Sequence, residues 1–209
     1  MAKAPPRRRD AQATRAGLLE TAGRAFAEHG YDGARIDDIA ARAGVNKRMI
    51  YAYFGDKDGL YRAVLDAHLT LALAAADPTP AGARAAPREE VEALVRRFFA
   101  FLSEHEDFVR LMGWEALSRA RRGRRLLTDR IAANLDAIHA VLRRGVAQGA
   151  FRADLDPRTF TMSVGALFLG YFMQRPFLEA LWSTDLRAVR AREAVLRDFV
   201  RLLLDGIGA

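Results

Sequence analysis

Apolar positions recur along this chain at helical spacing almost throughout. Leu19, Ala22 and Phe26 fall at i, i+3 and i+7, and Gly30 reads as the stop of that first helix. The short stretch "IDDIAARA" (36–43) forms a second helix closed by Gly44. A third begins at Asn46, whose side chain can accept from the first helical amides, and ends near Phe54-Gly55. Asp56 offers a cap for a fourth helix over 57–75, with Leu60, Val64, Ala67 and Leu71 on one face. "ADPTPAGARAAP" (76–87) breaks the pattern and reads as a loop or linker. Longer helices follow over 88–104, 106–119, 125–148, 158–182 and 186–206, with the arginine-dense "SRARRGRR" (118–125) and "GAFRADLDP" (149–157) as interruptions. Alternating β-branched runs do not occur. The pattern predicts an all-α protein: a compact N-terminal three-helix unit, a connecting helix, and a larger helical body. The expected division is a basic arm over 1–10, disordered without a partner, a first domain over 11–75, and a second over 76–209.

Composition narrows the class. The 209 residues are 51% hydrophobic and 28% charged, as expected of an ordered, soluble chain. Cysteine is absent, which excludes disulfides and thiolate metal sites and suits a reducing cytoplasm. The start "MAKAPPRRRD" carries positive charge with no apolar run after it, unlike a secretory signal. The most apolar run, "TFTMSVGALFLGYFMQ" (159–174), lies between Arg158 and Arg175 and is followed by Pro176. It falls short of the ~20 residues that span a bilayer, so it reads as a buried helix and no membrane partner is expected. Net charge is +7. Residues 1–62 hold 12 Lys/Arg against 8 Asp/Glu, so under a third of the chain carries more than half of the excess. On charge alone, a nucleic-acid partner and a solvated arginine-rich surface are equal readings.

The segment 34–57 separates them. A short helix, a tight glycine turn and a second short helix make a helix-turn-helix arrangement. Ile39, Ala40, Val45 and Ile50 can pack the two helices together, Ala40 is small where they cross, and Gly44 permits a left-handed turn. The second helix then turns basic and aromatic residues outward. The longer stretch "LLETAGRAFAEHGYDGARIDDIAARAGVNKRMIYAYFGDKDGLYRAVL" (18–65) resembles the DNA-binding region of the tetracycline-repressor (TetR) family of bacterial transcription regulators. The landmarks are Ala22, Phe26, Gly30-Tyr31, Ile36, Ile39-Ala40, Ala43-Gly44-Val45, Tyr51, Phe54, Lys57 and Leu60. "FFAFLSEHEDFVRLMGWEAL" (98–117) and "RAREAVLRDFVRLLLDGI" (190–207) look like C-terminal regions of the same family.

That resemblance implies double-stranded operator DNA as a partner, with the second helix of the motif in the major groove. Lys47, Arg48 and Met49 then reach base edges: a cation suits guanine O6/N7, and a thioether suits a thymine methyl. Tyr51, Tyr53 and Lys57 fall where the family holds phosphate, and Asn46 caps the reading helix. Position 35 is often Thr or Ser in the family; Arg35 exchanges that cap for a cation beside the backbone. The resemblance also implies a ligand-binding, dimer-forming body after residue 76. Phe101, Met112, Trp114, Phe168 and Phe172 are the candidate lining of a site for a small hydrophobic or aromatic effector, with Glu115 and Gln174 orienting it. Aromatic and methionine side chains at helical spacing are more often plain core, which is the rival reading for each. For a homodimer, Ser163, Ala166 and Gly170 form a small-residue row, and Leu196, Phe199 and Leu203 an apolar stripe, on two helices per subunit. Internal packing of the same stripes is the rival reading.

An enzyme is not expected, nor is any cofactor. The four histidines form no metal-binding spacing; His105 reads as part of a charged loop and His139 as a helix-surface pair with Asp136. The expected function is a cytoplasmic, ligand-responsive repressor released from a palindromic operator. The alternatives are an architectural DNA-binding protein without sequence preference and, behind it, a helical small-molecule enzyme.

Overall fold

The computed structural model describes residues 7–78 and 85–208. Among these the secondary structure is helical: α1 (Arg7–Gly33), α2 (Ile36–Arg42), α3 (Lys47–Phe54), α4 (Lys57–Ala75), α5 (Pro87–Glu104), α6 (Glu106–Leu117), α7 (Arg124–Ala147), α8 (Pro157–Trp182) and α9 (Val189–Asp205). Most of the expected basic arm lies outside the described residues; from Arg7 onward the backbone is already helical. The expected stop at Gly30 takes the form of a break. Gly30 has φ 67° and ψ 179°, and one further turn follows it before the helix ends at Gly33.

The chain divides into two compact units that do not follow its order. One takes the residues up to Leu69 together with Arg110–Leu127; the other takes Thr70–Val109 and Thr128–Ala209. Helices α4, α6 and α7 therefore each contribute to both.

The first unit is built around Leu18, Ala22, Phe26, Ile39, Ile50, Leu60, Tyr61, Val64, Leu65 and Leu111. Those of α1 and α4 follow the helical spacing, and Ile39, Ile50 and Leu111 come from α2, α3 and α6. Full burial of each large one is worth about 1.5–3 kcal/mol. Phe26 and Tyr61 meet edge to face at 4.9 Å, and Tyr31 meets Tyr61 in the same way at 5.3 Å. Two residues of α6 tie onto this unit, the buried Glu115 and the part-exposed Trp114. The Trp114 indole lies on Gly30 and donates Nε1–H to the Ala27 carbonyl at 3.1 Å. Glu115 is 3% exposed, and both of its oxygens are engaged. Oε1 accepts from the Tyr61 hydroxyl at 2.7 Å, and Oε2 accepts from the Gly123 amide at 3.0 Å. Burial, then this carboxylate, pushes the Tyr61 phenol well above its ordinary range.

In the second unit α5 packs against α8 and α9. Phe99 is the hub: its ring lies 5.3 Å from Phe168, 5.0 Å from Phe172, 6.0 Å from Tyr171 and 6.2 Å from Phe199. Gly145 of α7 leaves room for the Phe151 ring, 2.2 Å from where a β-carbon would stand. Asp156 caps α8 by accepting from the Arg158 and Thr159 amides. His139, expected on a helix surface, is buried instead, with Nε2 3.2 Å from Thr161 Oγ1. His105 ends α5 with its ring stacked on Phe101 at 4.1 Å and Nδ1 2.8 Å from the Phe101 carbonyl.

Candidate nucleic-acid interface

The two short helices are joined by a turn that the sequence specifies residue by residue. Gly44 takes φ 66°, a left-handed conformation that glycine adopts without strain. Its amide donates to the Ala41 carbonyl at 3.2 Å, and the Val45 amide reaches back to the Ala40 carbonyl at 3.0 Å. This paired closure satisfies the last carbonyls of α2 and fixes the direction in which the chain leaves it. Ile39, Ala40 and Ile50 are buried between the helices. Asn46 then opens α3, its Oδ1 accepting from the Arg48 amide at 2.9 Å. Asp56 does the same for α4, accepting from the Gly59 amide at 2.6 Å. At α2 the expected loss of a cap is observed: Arg35 stands at the N-cap with extended backbone and no side-chain bond.

Arg35, Asn46, Lys47, Arg48 and Tyr51 are exposed, and Met49 is half-buried. They put two cations and a phenol on the first turns of α3, with a third cation at the start of α2. Lys47 is engaged: its Nζ lies 3.1 Å from Asp37 Oδ1, and hydrogen bonding to that carboxylate raises its pKa. The ammonium has three N–H donors, so this exposed pair leaves it able to meet a further acceptor. Tyr53 is half-buried, its ring packed on the core and edge-on to Phe54 at 6.2 Å. Lys57 places its ammonium 4.5 Å from the centre of the Tyr31 ring, and burial there lowers its pKa.

One contributor was missed in the sequence. Arg122, from the arginine-dense interruption, lies 3.5 Å over the Tyr31 ring and pairs with Asp32 at 3.4 Å and Asp58 at 3.6 Å. Tyr31 thus sits among the guanidinium and the Lys57 ammonium. A run of arginines carries no local signal saying which one folds back.

The residues expected to hold an effector are divided. Phe168 and Phe172 meet in the ring cluster around Phe99, Phe101 pairs with Phe108 and His105, and Gln174 is exposed, all within the second unit. Met112, Trp114 and Glu115 belong to the first unit, where Glu115 is fully occupied by Tyr61 and Gly123. The dimer residues also divide. Ser163 and Ala166 are exposed and Gly170 is half-buried. Phe199 instead packs on Phe168 at 5.7 Å and Tyr171 at 5.5 Å, Leu203 is buried, and Leu196 is half-buried. What α8 does leave outward is larger than the small-residue row: Met162, Met173, Phe177, Leu181 and Trp182 are all exposed, along with Leu202 of α9.

Among the described residues no cluster of His, Asp and Glu could hold a metal ion, and no helix is long and apolar enough to cross a membrane.

Comparison with known proteins covers both units. The family model described as "Bacterial regulatory proteins, tetR family" matches residues 18–64, and that described as "Tetracyclin repressor-like, C-terminal domain" matches residues 87–203. The HTH-type transcriptional repressor SCO4008 of Streptomyces coelicolor is 38% identical over 109 residues, which is 52% of this chain and about half (53%) of that protein. The HTH-type transcriptional repressor NicS of Pseudomonas putida is 27% identical over 203 residues, covering 96% of this chain and 95% of that one. Among solved structures, AibR in complex with isovaleryl coenzyme A and operator DNA matches the fold with a TM-score of 0.74, at 19% identity, over 91% of this chain and 98% of that one.

Proposed function

This chain belongs to the tetracycline-repressor (TetR) family of bacterial transcription regulators, and on that premise we propose that it is a dimeric repressor released from a palindromic operator by a small hydrophobic ligand. The observation that carries the reading is the exposed first turn of α3. Asn46 caps it, the Gly44 turn orients it, and Arg48 and Lys47 project from it. A helix presented in this way fits the major groove, where an arginine can read guanine through O6 and N7. Arg35, Tyr51, Tyr53 and Lys57 then hold phosphates on either side and set the register. The outward apolar row of α8 supports a twofold partner, since a monomer seldom exposes so many large apolar side chains on one helix. The ring cluster around Phe99 supports an apolar effector, whose place of action is the cytoplasm, where the DNA is.

Selecting binding sites from a random DNA pool tests the reading. A palindrome is expected, with half-sites about 10 base pairs or a multiple apart. Enrichment without a consensus, and an affinity that differs little between sequences at physiological salt, would favour an architectural protein instead. On the selected site, Arg48→Ala is expected to cost about 1–3 kcal/mol and to relax preference at one base pair per half-site. Lys57→Ala should weaken all sequences alike and flatten the salt dependence. Equal loss by Arg48→Ala on specific and random DNA would remove its base-reading role.

A further inference from the structure

The inward face of α8 carries buried polar atoms that the fold leaves without a hydrogen-bond partner. Tyr171, Arg175 and Glu179 stand four residues apart, so they form one row along the helix. Arg175 is 5% exposed. One terminal nitrogen donates to Glu106 Oε1 at 2.5 Å, but its Nε–H, fully buried, meets no acceptor. The Tyr171 hydroxyl is buried without a partner as well, and one Glu179 oxygen has no donor, lying 3.8 Å from Arg187 Nε. Pro176, inside the helix, has no amide proton, so the Phe172 carbonyl lacks its i+4 donor. Buried groups of this kind are destabilising and rare in native interiors, and a row of them on one helix calls for an occupant.

Chemistry specifies that occupant. Two of the unmatched groups, Arg175 Nε–H and Tyr171 O–H, are donors beside one another on the row. The nearby cations already have carboxylate partners: Arg175 and Arg187 both pair with Glu106, and Arg187 also lies near Glu179. A carboxylate placed against the buried side of Arg175 would stand beside the carboxylates of Glu106 and Glu179, which these arginines already serve. The surroundings are aromatic: the guanidinium lies 5.6 Å from the Phe172 ring centre, and Phe99, Phe168 and Phe199 continue the apolar wall from Tyr171. We propose that the Tyr171–Arg175 row binds the uncharged carbonyl end of an apolar molecule, an amide, ketone or lactone whose oxygen accepts from both donors while its body lies among the rings. This rests on the effector reading above and names the chemical class of that effector.

Tyr171→Phe is the sharpest test, because it removes a hydroxyl that the fold does not use and keeps every ring contact. The free variant should be at least as stable as wild type. Full-length wild type, Tyr171→Phe and Arg175→Lys are titrated by calorimetry with phenylalkyl, cyclohexyl and naphthyl compounds, each as primary amide, methyl ketone, lactone, carboxylate and parent hydrocarbon. Uncharged carbonyl members should bind wild type, and each variant should bind them about tenfold more weakly, with hydrocarbon binding unchanged. The proposal is overturned if no carbonyl member loses affinity in Tyr171→Phe, or if that variant destabilises the free protein, which would make the hydroxyl structural. Operator binding is measured alongside. Carboxylates that bind in place of carbonyls and release DNA would overturn the head-group assignment and leave the effector reading standing. Carbonyl probes that bind through Tyr171 without altering DNA affinity would leave the site standing and overturn its role as the effector site.

Discussion

Replacing Gly30 by alanine is expected to destabilise the first unit by about 3–5 kcal/mol, a third or more of the stability of an ordinary domain. Two effects add. At φ 67° and ψ 179° the backbone occupies a region that is essentially confined to glycine, so any β-carbon is strained there. That β-carbon would also stand 2.9 Å from Trp114 Cδ2, against a ring held in place by its bond to the Ala27 carbonyl. Denaturant titration followed by fluorescence measures the total. A Trp114→Ala background removes the overlap and leaves the strain, so the difference between the two backgrounds separates them. A Gly30→Ala protein within 1 kcal/mol of wild type would mean that this helix break is not fixed by the residue that makes it.

The second large effect concerns assembly. Phe177 is 65% exposed on the outward row of α8, so Phe177→Asp should leave the protomer folded by circular dichroism. It should nevertheless sediment as a monomer and bind operator about 10²–10⁴-fold more weakly, because one subunit reads only half a site and the linked second contact is lost. Phe199→Asp makes the informative contrast. Its ring packs against Phe99, Phe168 and Tyr171, so a charge there should impair folding and not merely pairing. A wild-type chain that sediments as a monomer while binding its site tightly would defeat the dimer reading.

Much of the fold was legible because the chain punctuates itself. Gly44, Asn46 and Asp56 mark ends that are enforced by local geometry, and the structure uses each where the sequence offers it. Helical spacing likewise placed Ala22 and Phe26 on the buried face of α1, but on α4 it grouped Ala67 and Leu71 with Leu60 and Val64. Both are exposed, and Tyr61, Leu65 and Leu69 complete that buried face instead, because two neighbouring stripes of α4 are equally apolar in sequence. Nor could spacing say what meets an apolar face. Glu115 reads in sequence as a carboxylate beside aromatic and methionine side chains, hence as a group to orient a ligand; its partners lie 54 residues before it and eight after, beyond any local pattern. Phe199 and Leu203 form a regular stripe, and a stripe serves a neighbouring helix or a second subunit equally well. The row on α8 was invisible for the opposite reason. Tyr171 stands in the most apolar run of the chain and Arg175 at its edge, where it reads as a boundary, and only the buried Tyr171 hydroxyl and Arg175 Nε–H left without acceptors in three dimensions distinguish them.

The way residues 110–127 fold among the N-terminal helices bears on how regulators of this kind can be recombined. The segment near 76–87 looks like a natural crossover point for joining one protein's operator specificity to another's inducer response. A junction there would bring in the segment carrying Leu111, Trp114, Glu115 and Arg122 from the second parent, to face Gly30, Tyr31 and Tyr61 from the first. The parts exchanged are therefore not the parts that fold together. A hybrid that carries residues 110–127 with its own first 69, leaving the remainder to the second parent, keeps each indole with its glycine and each carboxylate with its phenol.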